Sequence, residues 1–531
     1  MKKTILMLAA LLSALTIDAT GPQRQYILND DGTYTVLDHP GYGCCSEVGR
    51  ALPSLIHTQA FSGSGEDGLT PYGQKSSGVV PTIGEITIPV IMVGYPDLPF
   101  QAETTKEKVT RMFNEKGYAD YDYVTTQDKR TIQCHGSVRD YFMAQSRNLF
   151  QPNFVVVDSV TTDFGYAYYG EQSGSIHDRY VSALVTEVCQ KASTNGVDFR
   201  KYIPEGASNV PLIVIFYAGQ GQHAAYDEHW TDYIWPHFKQ ESRNINGTNI
   251  SSYYVGNETL GVYVADSEGN PVLHHECTTG IGVLIHELGH ALGLPDFYDT
   301  KVSGNAGTPS FWSVMDYGQY YQNGYVPVGY STYERAILGW QDFKILPDTA
   351  QFCELNAQEC VILRSPDFED EPNFYVLENH QVDGVWYNSL LGSGLRIDKV
   401  NFNRSLWNLN HVNYNGDFHA VVVPADGEMQ NQKSYGKDWT TFQNDLYPGN
   451  DKLYTTFMTD FVMDHETCGI YNIEMNDGVI TFSYLDKNLK PTGLKVVENQ
   501  KVNDATYDLQ GRLSTGAVHG IYIKNGKKII K

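Results

Sequence analysis

One segment constrains this chain more than any other: "GIGVLIHELGHALGLPDFYD", residues 280–299. Leu284, Ile285, Leu288 and Leu292 recur at helical spacing and supply an apolar face. His286 and His290 stand four apart, so on a helix their rings project from one side, one turn from the next. Two imidazoles so placed can occupy adjacent corners of a zinc tetrahedron. Gly293 can adopt a left-handed conformation that ends the helix, and Pro295 stops it from resuming. The chain then turns back, and Asp296 can present a carboxylate as third ligand. Glu287, one residue round the helix, can reach a water at the metal without being a ligand, which is the arrangement of H-E-x-x-H metalloproteases. A buried amphipathic helix with incidental histidines would need neither the glycine nor the aspartate.

A second element, "FWSVMDYG" (311–318), reads as a methionine turn beneath the metal, with Met315 as its methionine. Tyr317, two residues on, is the candidate donor to an oxyanion. Zinc hydrolysis of a peptide bond follows, with Glu287 as general base. The motif fixes this chemistry better than it fixes the substrate, so hydrolysis of another amide also suits it.

The rest of the chain supplies context. Lys2 and Lys3 precede an apolar run from Ile5 to Leu15 and small residues around Ala19, the order of a secretory signal peptide. Cleavage after Ala19 fits best, with Ala14 as the alternative. No later stretch is long and apolar enough for a transmembrane anchor. A net charge of −24 argues against nucleic-acid partners, which require clustered Lys and Arg. The eight cysteines suit an exported protein. Cys353 and Cys360 flank a short loop and form the one pair that spacing suggests, whereas adjacent Cys44 and Cys45 do not readily bridge each other. Either of the latter could instead hold zinc as an inhibitory thiolate, against an ordinary disulfide role.

The 531 residues divide into several expected units. Residues 1–19 are the signal peptide, and 20–85, rich in Gly and Ser, a pro-segment or leader without a compact core. Residues 86–345 alternate apolar strands ("EITIPVIMVGYPD", "NFVVVDSV", "VPLIVIFYAGQG") with helices around 136–145 and 177–192. Residues 346–486 carry short β-prone runs between turns, expected as an antiparallel β-sandwich. Residues 487–531 form a small C-terminal β module. The fold class expected is α+β. His274, His275, Glu276 and Cys277 read as locally bonded loop residues rather than a second metal site, and His237 as a packed residue.

Residues from about 86 to 486 resemble the immune inhibitor A family of secreted bacterial metallopeptidases. The likeness is carried in order by "IPVIMVGYPD", "GSVRDYFMAQS", "VDFRKYI", "IVIFYAGQGQ", "IWPHF", "GVLIHELGHALGLPDFYD", "WSVMDYG", "YERAILGW", "VLENHQ", "LGSGLRI" and "VVPADG". It implies a metzincin-like zinc peptidase domain, protein or peptide substrates, a following β domain, and structural calcium (Ca2+) beside the zinc (Zn2+). By position it makes His286, His290 and Asp296 the ligands and Glu287 the base. The family's acidic loop after "VDF" is replaced here by "RKYIPEGASN", so no calcium site is expected there. Lys399 and Asn401 stand where many members have His and Asp. "YDLQGR" and "GIYIKNGKKIIK" resemble the C-terminal sorting modules of Bacteroidetes proteins, which implies contact with type IX secretion machinery and a secreted or cell-surface location. The competing reading is a catalytically silent surface binding protein on a peptidase scaffold. The intact His, Glu, His and Asp set argues against it.

Overall fold

The computed structural model describes residues 25–28, 34–37, 78–121, 136–172, 178–268, 270–301, 307–368, 372–382, 386, 391–428, 440–463, 466–490, 506–508, 521–524 and 527–530. The signal peptide, Cys44 and Cys45 lie outside these residues. Two units are distinguished, 1–487 and 488–531. Helix and strand are mixed in the first. The second contains a three-stranded antiparallel sheet of Thr506–Asp508, Ile521–Lys524 and Lys527–Ile530. No helix among the described residues is long and apolar enough to cross a membrane.

The first unit is built on a mixed sheet. Its strands are β1 (Gly84–Gly94), β2 (Phe150–Thr161), β3 (Ile213–Gln220), β4 (His237–Lys239), β5 (Tyr253–Ala265) and β6 (Pro271–Thr278). The order is β6-β5-β3-β1-β2, with β1, β2, β3 and β5 parallel. Strands covered on both faces read as continuous apolar runs, and every residue of β3 is buried. Helices α1 (Lys106–Asn114), α2 (Val138–Gln145) and α3 (Val181–Thr194) flank the sheet, the last two within a few residues of their expected places. The outer edge of β5 is shared. Antiparallel β4 takes its first half and antiparallel β6 its second.

From β6 the chain passes through a short turn into α4 (Gly282–Leu292), which carries the histidines. The expected one-sided apolar face understates its environment, because all of its residues are buried. Each of Leu284, Ile285, Leu288 and Leu292 therefore contributes roughly 1.5–3 kcal/mol by burial.

The residues just before β1, expected as the end of a leader without a compact core, are packed structure. Val80 is buried and its amide donates to Ala291 O of α4 (3.0 Å), while Trp340 Nε1 donates to Thr82 O (2.7 Å). Gly78 lies so close to the end of α4 that a Cβ there would stand 2.3 Å from the carbonyl carbon of Leu292. The strap clamps the C-terminal end of α4.

After residue 345 the strands are β7 (Gln351–Leu355), β8 (Cys360–Arg364), β9 (Asn373–His380), β10 (Gly394–Asn401), β11 (Ala420–Val422), β12 (Phe457–Met463), β13 (Glu466–Asn476) and β14 (Val479–Tyr484). One sheet runs from Lys344–Ile345 through β8-β9-β10-β11, the other in the order β7-β14-β13-β12. Leu363, Leu377 and Ile397 of the first meet Phe457, Ile470 and Phe482 of the second in one core. The opposite face of the first sheet, with Ile362, Phe374 and Val376, joins the core that surrounds α4. Hydrophobic packing thus runs unbroken across residue 345.

Cys353 and Cys360 are both free and buried, which corrects the pairing that their spacing suggests. They stand on β7 and β8, which belong to different sheets and face different cores. The expected loop at residues 274–277 is instead part of β6. His274 and His275 are exposed, and Cys277 is buried with its thiol toward Leu260 O (3.3 Å).

Candidate active site

The α4 helix ends in a left-handed glycine. Gly293 has φ 103°, its amide donates to His290 O (2.9 Å), and the Leu294 amide reaches back to Gly289 O (2.9 Å). This is a Schellman closure, and it satisfies the last helical carbonyls. The same turn orients a histidine, because Leu294 O accepts a hydrogen bond from His290 Nδ1 at 2.8 Å. His286 Nδ1 donates in the same way to Val314 O (2.8 Å). A carbonyl can only accept, so both Nδ1 atoms carry hydrogen and each ring turns its Nε2 the other way, bare whenever the ring is neutral.

Those Nε2 atoms converge on Asp296 Oδ1, at 3.1 Å from His286 and 3.2 Å from His290. Their ligand atoms all lie within 4.8 Å of one another, and the three residues are buried. Among the described residues, neither His290 Nε2 nor Asp296 Oδ1 has a hydrogen-bond partner outside this group of three. Three converging acceptors repel unless positive charge lies among them. With zinc–ligand bonds of about 2.0–2.1 Å a tetrahedron has edges of roughly 3.3 Å, close to the distances found. The residues therefore fit a zinc ion. Burial disfavours the charged forms of His290 and Asp296, but their mutual attraction outweighs it. With no metal among them, His290 rises to about 9 and Asp296 falls to about 2, a proton on His290 Nε2 then supplying the positive charge. This pocket favours a cation.

Glu287 is fully buried, and its Oε2 accepts from the backbone amide of Phe238 on edge strand β4 (2.7 Å). The methionine turn lies against the helix. A Cβ at Gly289 would stand 2.4 Å from Met315 Sδ, and Met315 O accepts from the Phe297 amide (2.9 Å) beside Asp296. Ser313 Oγ accepts from the Met315 amide (3.0 Å) and is itself bonded to Glu334. Tyr317 is buried, its ring 6.5 Å from that of Tyr298, which in turn lies 6.4 Å from His286.

The structure thus brings His286, His290 and Asp296 together, with Glu287 on the same helix and Tyr317 one ring removed. It does not bring His237 or the His274–Cys277 group to the site. Among the described residues, no other set of three or more His, Cys, Asp or Glu is grouped to hold a metal. Sequence reasoning missed the Phe238 amide, the Val314 and Leu294 carbonyls, and Asn410. A backbone group has no signature in a sequence, and Asn410 is one asparagine among several in "WNLNHVNYN".

Residues 82–340 match the family model of the immune inhibitor A peptidase M6 catalytic domain. The chain is 26% identical over 274 residues to the pre-pro-metalloprotease PrtV of Vibrio cholerae serotype O1 (strain ATCC 39315 / El Tor Inaba N16961), an alignment covering 47% of this chain and 29% of that protein. It is 28% identical over 201 residues to immune inhibitor A of Bacillus thuringiensis subsp. alesti, covering 34% of this chain and 28% of that protein. The chain spans less than a third of the length of either relative.

Proposed function

We propose, from a segment similar to M6 catalytic domains and from the convergence of His286, His290 and Asp296, that this chain is a secreted zinc-dependent endopeptidase. The observation that carries the reading is the pair of Nδ1–carbonyl bonds, which leave two bare imidazole nitrogens facing one carboxylate oxygen. His286, His290 and Asp296 would hold the metal. Zinc bound there supplies a water of lowered pKa, toward ~7, and a positive charge for the substrate carbonyl oxygen.

Glu287 takes the proton of the attacking water and delivers it to the departing amine. The Phe238 amide holds the Glu287 carboxylate in one orientation. Tyr317 donates a hydrogen bond to the oxyanion, a role supported by its place just after Met315 in the turn against α4. The site residues are buried. Export by the signal peptide, structural calcium and passage through a type IX route by way of residues 487–531 belong to the same reading. The signal peptide rests on the residue order at 1–19 and the division into units on the pattern along the chain, with the sequence resemblance beside it; calcium and the type IX route rest on the resemblance alone.

The test compares the purified full chain with Glu287→Ala and His290→Ala, assaying casein cleavage and bound zinc. Glu287→Ala is expected to keep zinc and lose at least about 10² in rate. His290→Ala is expected to lose the metal. Folded wild type without zinc, or His290→Ala that retains it, would sink the assignment.

A further inference from the structure

The third ligand does not hold itself. Asp296 lies in a turn after α4, and both its carboxylate and its backbone are gripped by one side chain 114 residues away. Asn410 Nδ2 donates to Asp296 Oδ2 (2.5 Å), and Asn410 Oδ1 accepts from the Asp296 amide (2.7 Å). Asn410 is 3% exposed and has φ 56°, a left-handed conformation that asparagine tolerates. Its neighbours hold the rest of the loop. Asn413 Nδ2 donates to Phe297 O (2.5 Å), Asp299 accepts from the amides of Asn415 (2.8 Å) and Gly416 (3.0 Å), and Thr300 Oγ1 donates to Asn410 O (3.1 Å).

We infer that Asn410 is a positioning residue for the metal, and that residues 410–416, outside the segment matching the catalytic-domain family, act as a template for the third-ligand loop. The inference rests on the metal reading above. The physical reason lies in the division of labour between the two carboxylate oxygens. Asn410 takes Oδ2, so the carboxylate cannot rotate about its terminal torsion, and Oδ1 stays aimed at the two histidines. A side-chain amide offers a donor and an acceptor side by side, and so can grip a carboxylate and that residue's own backbone amide at once without carrying charge. Partners of this kind commonly govern metal affinity by orienting the ligand.

The test uses the full chain with two substitutions. Asn410→Asp preserves the shape, the acceptor for the Asp296 amide and the tolerance of positive φ, but sets a carboxylate against Asp296 Oδ2. Asn410→Gly accepts the same φ without strain and removes the grip entirely. Zinc dissociation constants are measured by chelator competition, and the coordination geometry by the visible spectrum of the cobalt-substituted protein. Both variants are expected to bind zinc about 10- to 100-fold more weakly. Their cobalt spectra are expected to shift. A purely structural asparagine would lower the unfolding midpoint and leave affinity and spectrum alone. Unchanged zinc affinity and cobalt spectrum in folded Asn410→Gly would overturn the inference, because an aspartic acid at 410 can share a proton with Asp296 and keep part of the grip. Failure of wild type to bind zinc would instead remove the metal reading beneath it.

Discussion

Gly289 sits inside α4 between His286 and His290, where glycine is a poor choice for helix stability, and the structure supplies the reason. Replacing it with alanine should favour the helix by about 1 kcal/mol. Against this stands Met315. The new Cβ would lie 2.4 Å from Sδ and 3.1 Å from both Met315 Cε and Tyr330 Oη. Carbon contacts settle near 3.5–4.0 Å, so the sulfur would have to retreat by roughly an ångström. Met315 is wholly buried, and the Tyr330 hydroxyl is bonded to Ile285 O (3.1 Å), so neither yields freely. Overpacking of this kind costs about 1–3 kcal/mol, which leaves Gly289→Ala destabilised by up to about 2 kcal/mol. Any retreat of Met315 also carries Val314 O away from His286 Nδ1, so zinc affinity should fall as well. The assay is chemical unfolding of the metal-stripped chain, read by fluorescence of buried Trp312 and Trp340, in a double-mutant cycle with Met315→Ala. In the Met315→Ala background the collision is gone. Gly289→Ala should then become neutral or stabilising, a coupling of about 1–3 kcal/mol. Stability of Gly289→Ala equal to or above wild type, with no coupling to residue 315, would refute the claim that the sulfur imposes the glycine.

Burial lowers the pKa of His237 to about 4, outweighing its bond to Trp235 O, so the fold prefers the neutral ring. Its stability contribution is complete above about pH 6.5 and is lost as pH falls from there through about 4, which amounts to about 2 kcal/mol at pH ~5. His237→Gln should therefore lose less stability than wild type between about pH 7.5 and 5, and parallel losses would contradict the assignment. Gly78→Ala places a Cβ against the backbone of Leu292, which has no side chain to swing aside. Loss of about 1–3 kcal/mol and faster proteolysis around residues 78–83 are expected. A chain cut after residue 83 should be less stable than one cut before residue 78, and equal unfolding midpoints would show that the strap is dispensable.

Much of the site was legible because its encoding is local. The 3.6-residue repeat places His286 beside His290, and Gly293 with Pro295 ends the helix, so the turn that presents Asp296 follows from residue types a few positions apart. The apolar runs that became β1 and β3 were legible for the same reason, since strands covered on both faces need no polar alternation, whereas β2, at the sheet edge, alternates buried and half-buried residues. The disulfide reading failed at Cys353 and Cys360 because proximity along the chain says nothing about which sheet each strand joins. The expectation of no compact core before residue 86 did not hold at Gly78–Thr82, because a glycine required for close approach looks in sequence like a glycine required for freedom.

Tertiary structure alone decided which groups hold the ligands in place. Val314 O, the Phe238 amide and Asn410 come from separate segments that meet only when the edge strand, the methionine turn and the loop before β11 close around α4. A ligand set can be written into one helix and its cap, since covalent geometry limits the distances between its members. The groups that aim those ligands are brought there by packing over the whole unit, and no short run of sequence records it.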